Sequence, residues 1–296
     1  INIAMILIGA GCAPVLMAAY YIFAREFPPL QFATLAASMI GVGTIGNLLA
    51  SYPMAFAETM IGWRATMVCL AVLCAIIAVG VQVTVKDPEK AVSETKGSLL
   101  DVLRIPALWL IAPIAIVGYV PAAAIRGAWM GPYLNEVHGL SSSEIGTAAL
   151  IMGIAMIGGV FLYGPLDRWF GTRKWVVFGG NILTLCFLLG LYAFGASSYI
   201  VTIIMLCGVG FFGATFPVVI AHGKGFFPAH LTGRGVTLLN MFSIGGVGLA
   251  QMVARPLHDS YQGTDAAAPF AAVFLLFAVM LITGLSLYLF SQDNTD

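Results

Sequence analysis

Charge is what this sequence has least of: Asp, Glu, Lys and Arg make up 9% of its 296 residues, against about 25% in ordinary soluble domains. A water-soluble fold of this length would have to leave apolar side chains facing water. An ordinary cytosolic enzyme and a disordered chain are therefore both excluded. Neither sign is in excess, with 13 Lys+Arg against 13 Asp+Glu, so nothing attracts nucleic acid, and no nucleic-acid partner is expected. Cysteine is scarce too. Cys12, Cys69, Cys74, Cys186 and Cys207 all fall in apolar stretches, with no C-x-x-C or Cys/His spacing, so they read as small apolar residues rather than disulfides or metal ligands. No H-E-x-x-H, no paired intramembrane aspartates and no Gly-rich phosphate loop occur, so no enzymatic activity, metal or cofactor is expected.

What is present is length of apolar run. Hydrophobic residues are 60% of the chain, and a helix crossing the hydrocarbon of a bilayer needs roughly 20 of them in succession. The stretches free of Asp, Glu, Lys and Arg, with the longest divided at Gly195-Ala196-Ser197-Ser198 and two neighbours joined across Arg126, give nine spans: about 3–24, 30–57, 65–85, 105–134, 145–166, 175–195, 199–222, 235–254 and 268–291. Runs such as 72–81 and 271–282 are apolar all round, without the alternation of a membrane β-barrel. The first span has no basic flank before it and is too long for a signal peptide. The expected class is an all-α membrane protein with nine transmembrane helices and the lipid bilayer as its partner.

Basic residues fall on one side of these spans. Arg25, Lys86, Lys90, Lys96, Arg104, Arg168, Arg173, Lys174, Lys224 and Arg234 share a side, while the other holds Arg64 and Arg255. The ten-charge side is expected to be cytoplasmic, with the C-terminus inside and Ile1 outside. The odd span count and the start at Ile1 point to a fragment of a longer chain. The most polar stretch, 86–104, divides the sequence into 1–85, the remainder of an N-terminal bundle of three spans, a cytoplasmic linker over 86–104, and a six-helix bundle over 105–296. Phe27-Pro28 is echoed by Phe227-Pro228, and Gly43-Thr44-Ile45-Gly46 by Gly245-Gly246-Val247-Gly248. The echo reads either as two parallel repeats with close-packed Gly faces, or as coincidence among abundant Gly and Pro.

Three stretches carry a resemblance. The run Trp129-Met130-Gly131-Pro132-Tyr133-Leu134, then Gly139-Leu140-Ser141, then Gly164-Pro165-Leu166-Asp167-Arg168-Trp169-Phe170-Gly171-Thr172-Arg173-Lys174, resembles the end of the seventh helix and the loop between helices eight and nine in the major facilitator superfamily. Gly62-Trp63-Arg64 is similar to that family's start of helix six. The interval from Asp167 to Gly171 is one residue longer than usual, and the Gly-x-x-x-Gly-Pro pattern of antiporters is missing from the expected fifth helix. The resemblance implies helices four to twelve of a two-bundle fold, without the first three. Restoring three spans would place both termini inside, which agrees with the charge count. It also implies a plasma-membrane or bacterial inner-membrane transporter, monomeric when complete, that moves a small solute by alternating access. A non-transporting sensor on the same scaffold, or an inactive fragment, is the alternative.

Arg126 is the ionisable residue deepest inside an expected span, about nine residues or roughly 13 Å from the outer end. Burying it costs at least a few kcal/mol, which some partner must offset. Tyr119, Arg126 and Tyr133 are spaced by seven and are expected to share a helix face, with Trp129 adjacent. The stripe reads as a site for an anionic group such as a carboxylate. Equally, Arg126 pairs with an acid on an absent helix, or satisfies carbonyls near Pro121 while reaching outward. The resemblance implies that Tyr20, Tyr21 and the Phe211-Phe212-Thr215-Phe216 group lie on cavity-lining helices. Asn240, Ser243, Gln251, Asn47 and Ser38 are polar groups expected to bridge helices more often than to touch a solute. Gly164, Asp167, Arg168, Arg173 and Lys174 anchor the cytoplasmic side; the resemblance further implies a charge latch between the two bundles, with Arg25 opposite. No Asp or Glu lies within a span and His222 sits only at a span end, so a coupling group, if one exists, is elsewhere and transport is symport or uniport.

Overall fold

Apolar side chains without a polar interval leave the backbone to satisfy its own hydrogen bonds, and the chain does so as helix. The computed structural model describes residues 2–12, 14–15, 18–19, 22–23, 35, 39, 42–43, 45–46, 49–50, 52–85, 98–228, 230–261, 263 and 265–293, and among these there is no strand. The helices are α1 (Asn2–Cys12), α2 (Tyr52–Thr84), α3 (Leu99–Leu103), α4 (Pro106–Val117), α5 (Val120–Ala124), a π-helical turn (Ile125–Trp129), α6 (Met130–His138), α7 (Ser142–Phe170), α8 (Lys174–Phe194), α9 (Tyr199–Phe212), α10 (Phe216–Lys224), α11 (Thr232–Ser260) and α12 (Ala268–Tyr288).

Seven stretches of the described residues are long and apolar enough to cross a membrane: Tyr52–Thr84, Pro106–His138, Ser142–Asp167, Lys174–Phe194, Tyr199–Lys224, Thr232–Ser260 and Ala268–Tyr288. They coincide with the last seven of the nine expected spans. The count of nine is not matched: in the expected span 3–24 the continuous described helix α1 has 11 residues, and much of the expected span 30–57 falls outside the described residues. The expected third span also begins earlier, at Tyr52, and is interrupted at Gly62, whose φ of 79° and ψ of 157° suit only glycine.

The chain divides into two compact units, one of residues 1–50 and 57–94, the other of 51–56 and 95–296. Residues 57–84 of α2 belong to the first; they are mostly apolar, with Glu58 and Arg64 near their start and Thr66 buried. In the second, the boundaries follow local chemistry. Gly139, at φ 68°, ends α6, and its N–H reaches the Asn135 carbonyl at 2.9 Å. Ser141 then starts α7 with a capping box, its hydroxyl accepting from the Glu144 N–H while Glu144 accepts from the Ser141 N–H at 2.9 Å. Ser98 and Asp101 start α3 in the same way, so the last part of the expected linker is a short helix with Val102 buried. Residues 86–97 of the linker lie outside the described residues.

Two of the spans that follow the linker are broken as well. Pro121 cannot donate to the Val117 carbonyl, and α4 gives way to α5 at Gly118-Tyr119. Pro217 cannot donate to Gly213, and α9 gives way to α10 at Gly213-Ala214-Thr215. The breaks lie against each other: a Cβ on Gly213 would stand 3.0 Å from the Ala122 methyl. Asn181 of α8 lies beside them, fully buried, donating to Thr215 Oγ1 at the second break at 3.1 Å and to the Val177 carbonyl of its own helix at 2.8 Å. Its Oδ1 stands 3.2 Å from where a Gly118 Cβ would be. The apolar core separates into one cluster holding Trp129, Tyr133, Phe270 and Phe274 and another holding Leu108, Ile114, Leu239 and Tyr288.

Candidate functional site

The π turn decides what the span Pro106–His138 presents. Five residues, Ile125–Trp129, form a turn wider than an α-helical one, and such turns recur where a helix must aim a side chain. Arg126 sits on it, half-buried. Its Nε–H donates to the Ala149 carbonyl of α7 at 3.4 Å, a long bond, and its guanidinium lies against Gly153, where a Cβ would stand 3.1 Å from an Nη atom. Gly127 and Ala128, next along the turn, are exposed. A cation thus stands beside an open stretch of backbone, in a helix otherwise apolar.

The seven-residue spacing does not hold the expected stripe together. The break at Gly118-Tyr119 and the extra residue in the π turn shift the register between Tyr119, Arg126 and Tyr133. Tyr133 is 2% exposed and packs into the core against Phe270 and Phe274, with ring centroids 5.3 and 5.2 Å away. Tyr119 is half-buried at the break with its ring 5.4 Å from Phe216, and the two residues join Thr215 and Ser243 around a narrow internal space. Trp129 faces inward, 8% exposed, between His258 at 5.1 Å and Phe270 at 6.5 Å. Its indole N–H donates to Gln251 Oε1 at 2.7 Å.

Phe212 is half-buried and stacked on Phe187, at 5.5 Å and 16°; Phe211, edge-on to Phe212, rests on Gly158 of α7. Asn240 is half-buried on α11. Tyr20, Tyr21, Ser38 and Asn47 lie outside the described residues. Gln251 bridges helices as expected of a polar group inside a span, and it also borders an open depression of about 810 Å³ with Met252, Arg255, Pro256 and Asp259.

The charged turn after α7 is built from side chains that sequence reading joined and one that it did not. Arg173 Nε donates to Asp167 Oδ2 at 3.3 Å, both side chains less than one-fifth exposed. Gly164 is exposed; the side chain of Arg168, and Arg25, lie outside the described residues. The missed residue is Asp293. Its carboxylate accepts from the Arg173 N–H at 3.2 Å, the Lys174 N–H at 3.0 Å and the Thr172 hydroxyl, capping the first turn of α8. Lys174 Nζ returns the contact, donating to the Leu289 and Ser291 carbonyls at 2.7 Å each. Partial burial works to raise the Asp293 carboxyl, but the Thr172, Lys174 and Arg173 hydrogen bonds outweigh it and hold the group below its ordinary value. His222, wholly buried at the end of α10, bonds to the Tyr288 hydroxyl through Nδ1 at 2.8 Å and to the Gln292 carbonyl through Nε2 at 3.0 Å. No short-range pattern announces these contacts, since their partners lie 66 to 121 residues apart.

Comparison with known proteins agrees with the resemblance that the sequence motifs carry. The family model described as Major Facilitator Superfamily matches residues 122–296, more than half of the chain. The chain is 23% identical over 202 residues to the Putative transporter AraJ of Escherichia coli (strain K12), covering 67% of this chain and 50% of that protein. It is 29% identical over 99 residues to the Alpha-ketoglutarate permease of Bacillus subtilis (strain 168), covering 33% of this chain and 22% of that one. The chain thus spans about half the length of the first relative and less of the second.

Proposed function

The chain belongs to the Major Facilitator Superfamily, and from that premise we propose that it is part of a secondary transporter that moves a small carboxylate-bearing solute across a membrane by alternating access. Its apolar helices make it a multi-pass membrane protein. The observation that carries the solute class is Arg126: a guanidinium on a π turn, inside an apolar span, flanked by the exposed Gly127 and Ala128. A planar fork of donors in a low-dielectric setting binds a carboxylate by two parallel hydrogen bonds. The name of one relative, an alpha-ketoglutarate permease, is that of a carboxylate carrier and supports the same class. Tyr119 and Phe212, both half-buried, shape the surroundings of that site from their own helices.

In this reading residues 1–85 are the remainder of one bundle, 86–104 a cytoplasmic linker and 105–296 the second bundle. The basic loops face the cytoplasm of a plasma or bacterial inner membrane. The turn of Gly164, Asp167, Arg168, Arg173 and Lys174 biases the conformational balance from that side. The test is uptake by the full chain in liposomes of labelled alpha-ketoglutarate, an uncharged sugar and a cationic amine. Arg126→Ala is expected to raise KM for the carboxylate about tenfold or more. Carboxylate uptake unchanged in Arg126→Ala, or preference for the amine, overturns the proposal.

A further inference from the structure

One side chain spans the whole π turn. Gln251 of α11 reaches across to it and engages both ends: its carboxamide oxygen accepts the Trp129 indole N–H at 2.7 Å, and its carboxamide N–H points to the Ala124 carbonyl at 3.5 Å. Ala124 is the residue before the turn and Trp129 the last within it. The indole is wedged on its other sides by His258 and Phe270, so its N–H is directed at Gln251. A π turn is strained relative to the α-helix that flanks it and persists where surrounding contacts favour it. Gln251 is such a contact. A carboxamide supplies an acceptor for the indole and a donor for the carbonyl at once; a carboxylate supplies the first alone, a leucine neither.

Arg126 lies between the two anchored residues, on the opposite side of the turn, with its guanidinium laid along α7 against Ala149 and Gly153. Closing the turn by one residue would rotate the residues before Trp129 by about 100° relative to those after it, and Arg126 would leave that face. We infer that Gln251 is a positioning residue: its carboxamide holds the π turn open and thereby fixes the direction in which Arg126 points. Gln251 also borders the open depression beside Arg255. The consequence for solute affinity rests on the assignment of Arg126 as the carboxylate ligand; the positioning itself does not.

The experiment therefore reads Arg126 directly. Full chain in liposomes is labelled with phenylglyoxal, and the rate at Arg126 is followed by mass spectrometry in the wild type, Gln251→Leu and the isosteric Gln251→Glu. Release of the turn is expected to raise the Gln251→Leu rate about threefold or more, with Gln251→Glu between, since it keeps only the indole contact. In uptake, Gln251→Leu is expected to raise KM for alpha-ketoglutarate about tenfold with Vmax within about twofold, and to add nothing in an Arg126→Ala background. A labelling rate at Arg126 unchanged in both variants overturns the inference, as does a KM effect that persists undiminished without Arg126. Should Arg126→Ala leave uptake intact while Gln251→Leu still accelerates labelling, the positioning stands and the carboxylate reading falls. If Gln251→Leu does not fold, Gln251→Glu alone decides, by whether its rate departs from that of the wild type.

Discussion

Asp293 and Lys174 cap each other's helices. The Asp293 carboxylate accepts the Lys174 backbone N–H at 3.0 Å at the start of α8, while Lys174 Nζ donates to the Leu289 carbonyl at 2.7 Å at the end of α12. Each helix end thereby receives the charge its dipole favours, negative at the N-terminus and positive at the C-terminus. The segment after α12 is strapped over the ends of α8 and α10, with His222 fastening it from below through the Gln292 carbonyl.

The strap is pH-sensitive on the acid side. The hydrogen bonds hold the Asp293 carboxyl below its ordinary value of 3.8, so its stabilisation is complete above that value and is lost as pH falls through the lower folded one. Asp293→Ala is expected to remove about 1 kcal/mol at neutral pH, the worth of a helix cap. Thermal unfolding in detergent should show the wild type losing its advantage over the variant between about pH 4 and the acid limit of the assay. A constant difference across that range would contradict the assignment.

At Gly246 the backbone of α11 lies close against that of α4. A Cβ there would fall 2.0 Å from the Ile116 carbonyl oxygen, whereas at Gly245 and Gly248 it would meet nothing within 4 Å. Gly246→Ala should destabilise by about 1–3 kcal/mol as backbone is forced from backbone. Gly245→Ala should be neutral or stabilising by up to about 1 kcal/mol, from helix propensity alone. Unfolding midpoints of the two variants separate the cases.

Gly153 gives Arg126 its resting place. The Cβ of Gly153→Ala would approach a guanidinium nitrogen to 3.1 Å, a contact the flexible end of an arginine escapes by moving. Folding should be unaffected. Carboxylate KM should rise, by about threefold to tenfold, because the donors are displaced rather than removed. Uptake kinetics beside an unchanged melting temperature would bear this out.

Asn181 ties α8 to the break between α9 and α10. Asn181→Leu fills the same space but leaves Thr215, which is fully buried, without its donor, and exchanges two hydrogen bonds for none. A loss of about 1–3 kcal/mol is expected, and Asn181→Asp should be worse, since a buried carboxylate would face the Val177 carbonyl. Thermal unfolding of the pair, with the aspartate variant more stable than the leucine one, would disprove the clasp.

The sequence by itself determined the class. With 9% charge and 60% hydrophobic residues, the only solvent that suits most of these side chains is lipid, and apolar runs of this length close their hydrogen bonds as helices. Hence the later seven spans were legible from composition alone. Arg126 was legible as an anomaly, because a charge in an apolar run stands out without any knowledge of its neighbours. Only the tertiary structure decided where it points. The π turn has no sequence signature of its own, and depends on a glutamine 122 residues from the tryptophan it holds. The separation of Tyr133 from Arg126 follows from that same turn, since helical spacing predicts a shared face only while the helix stays regular. Asp293 and Asn181 belong to the same category: polar groups that are ordinary in the chain and acquire their roles from which helix ends and breaks the packing brings beside them.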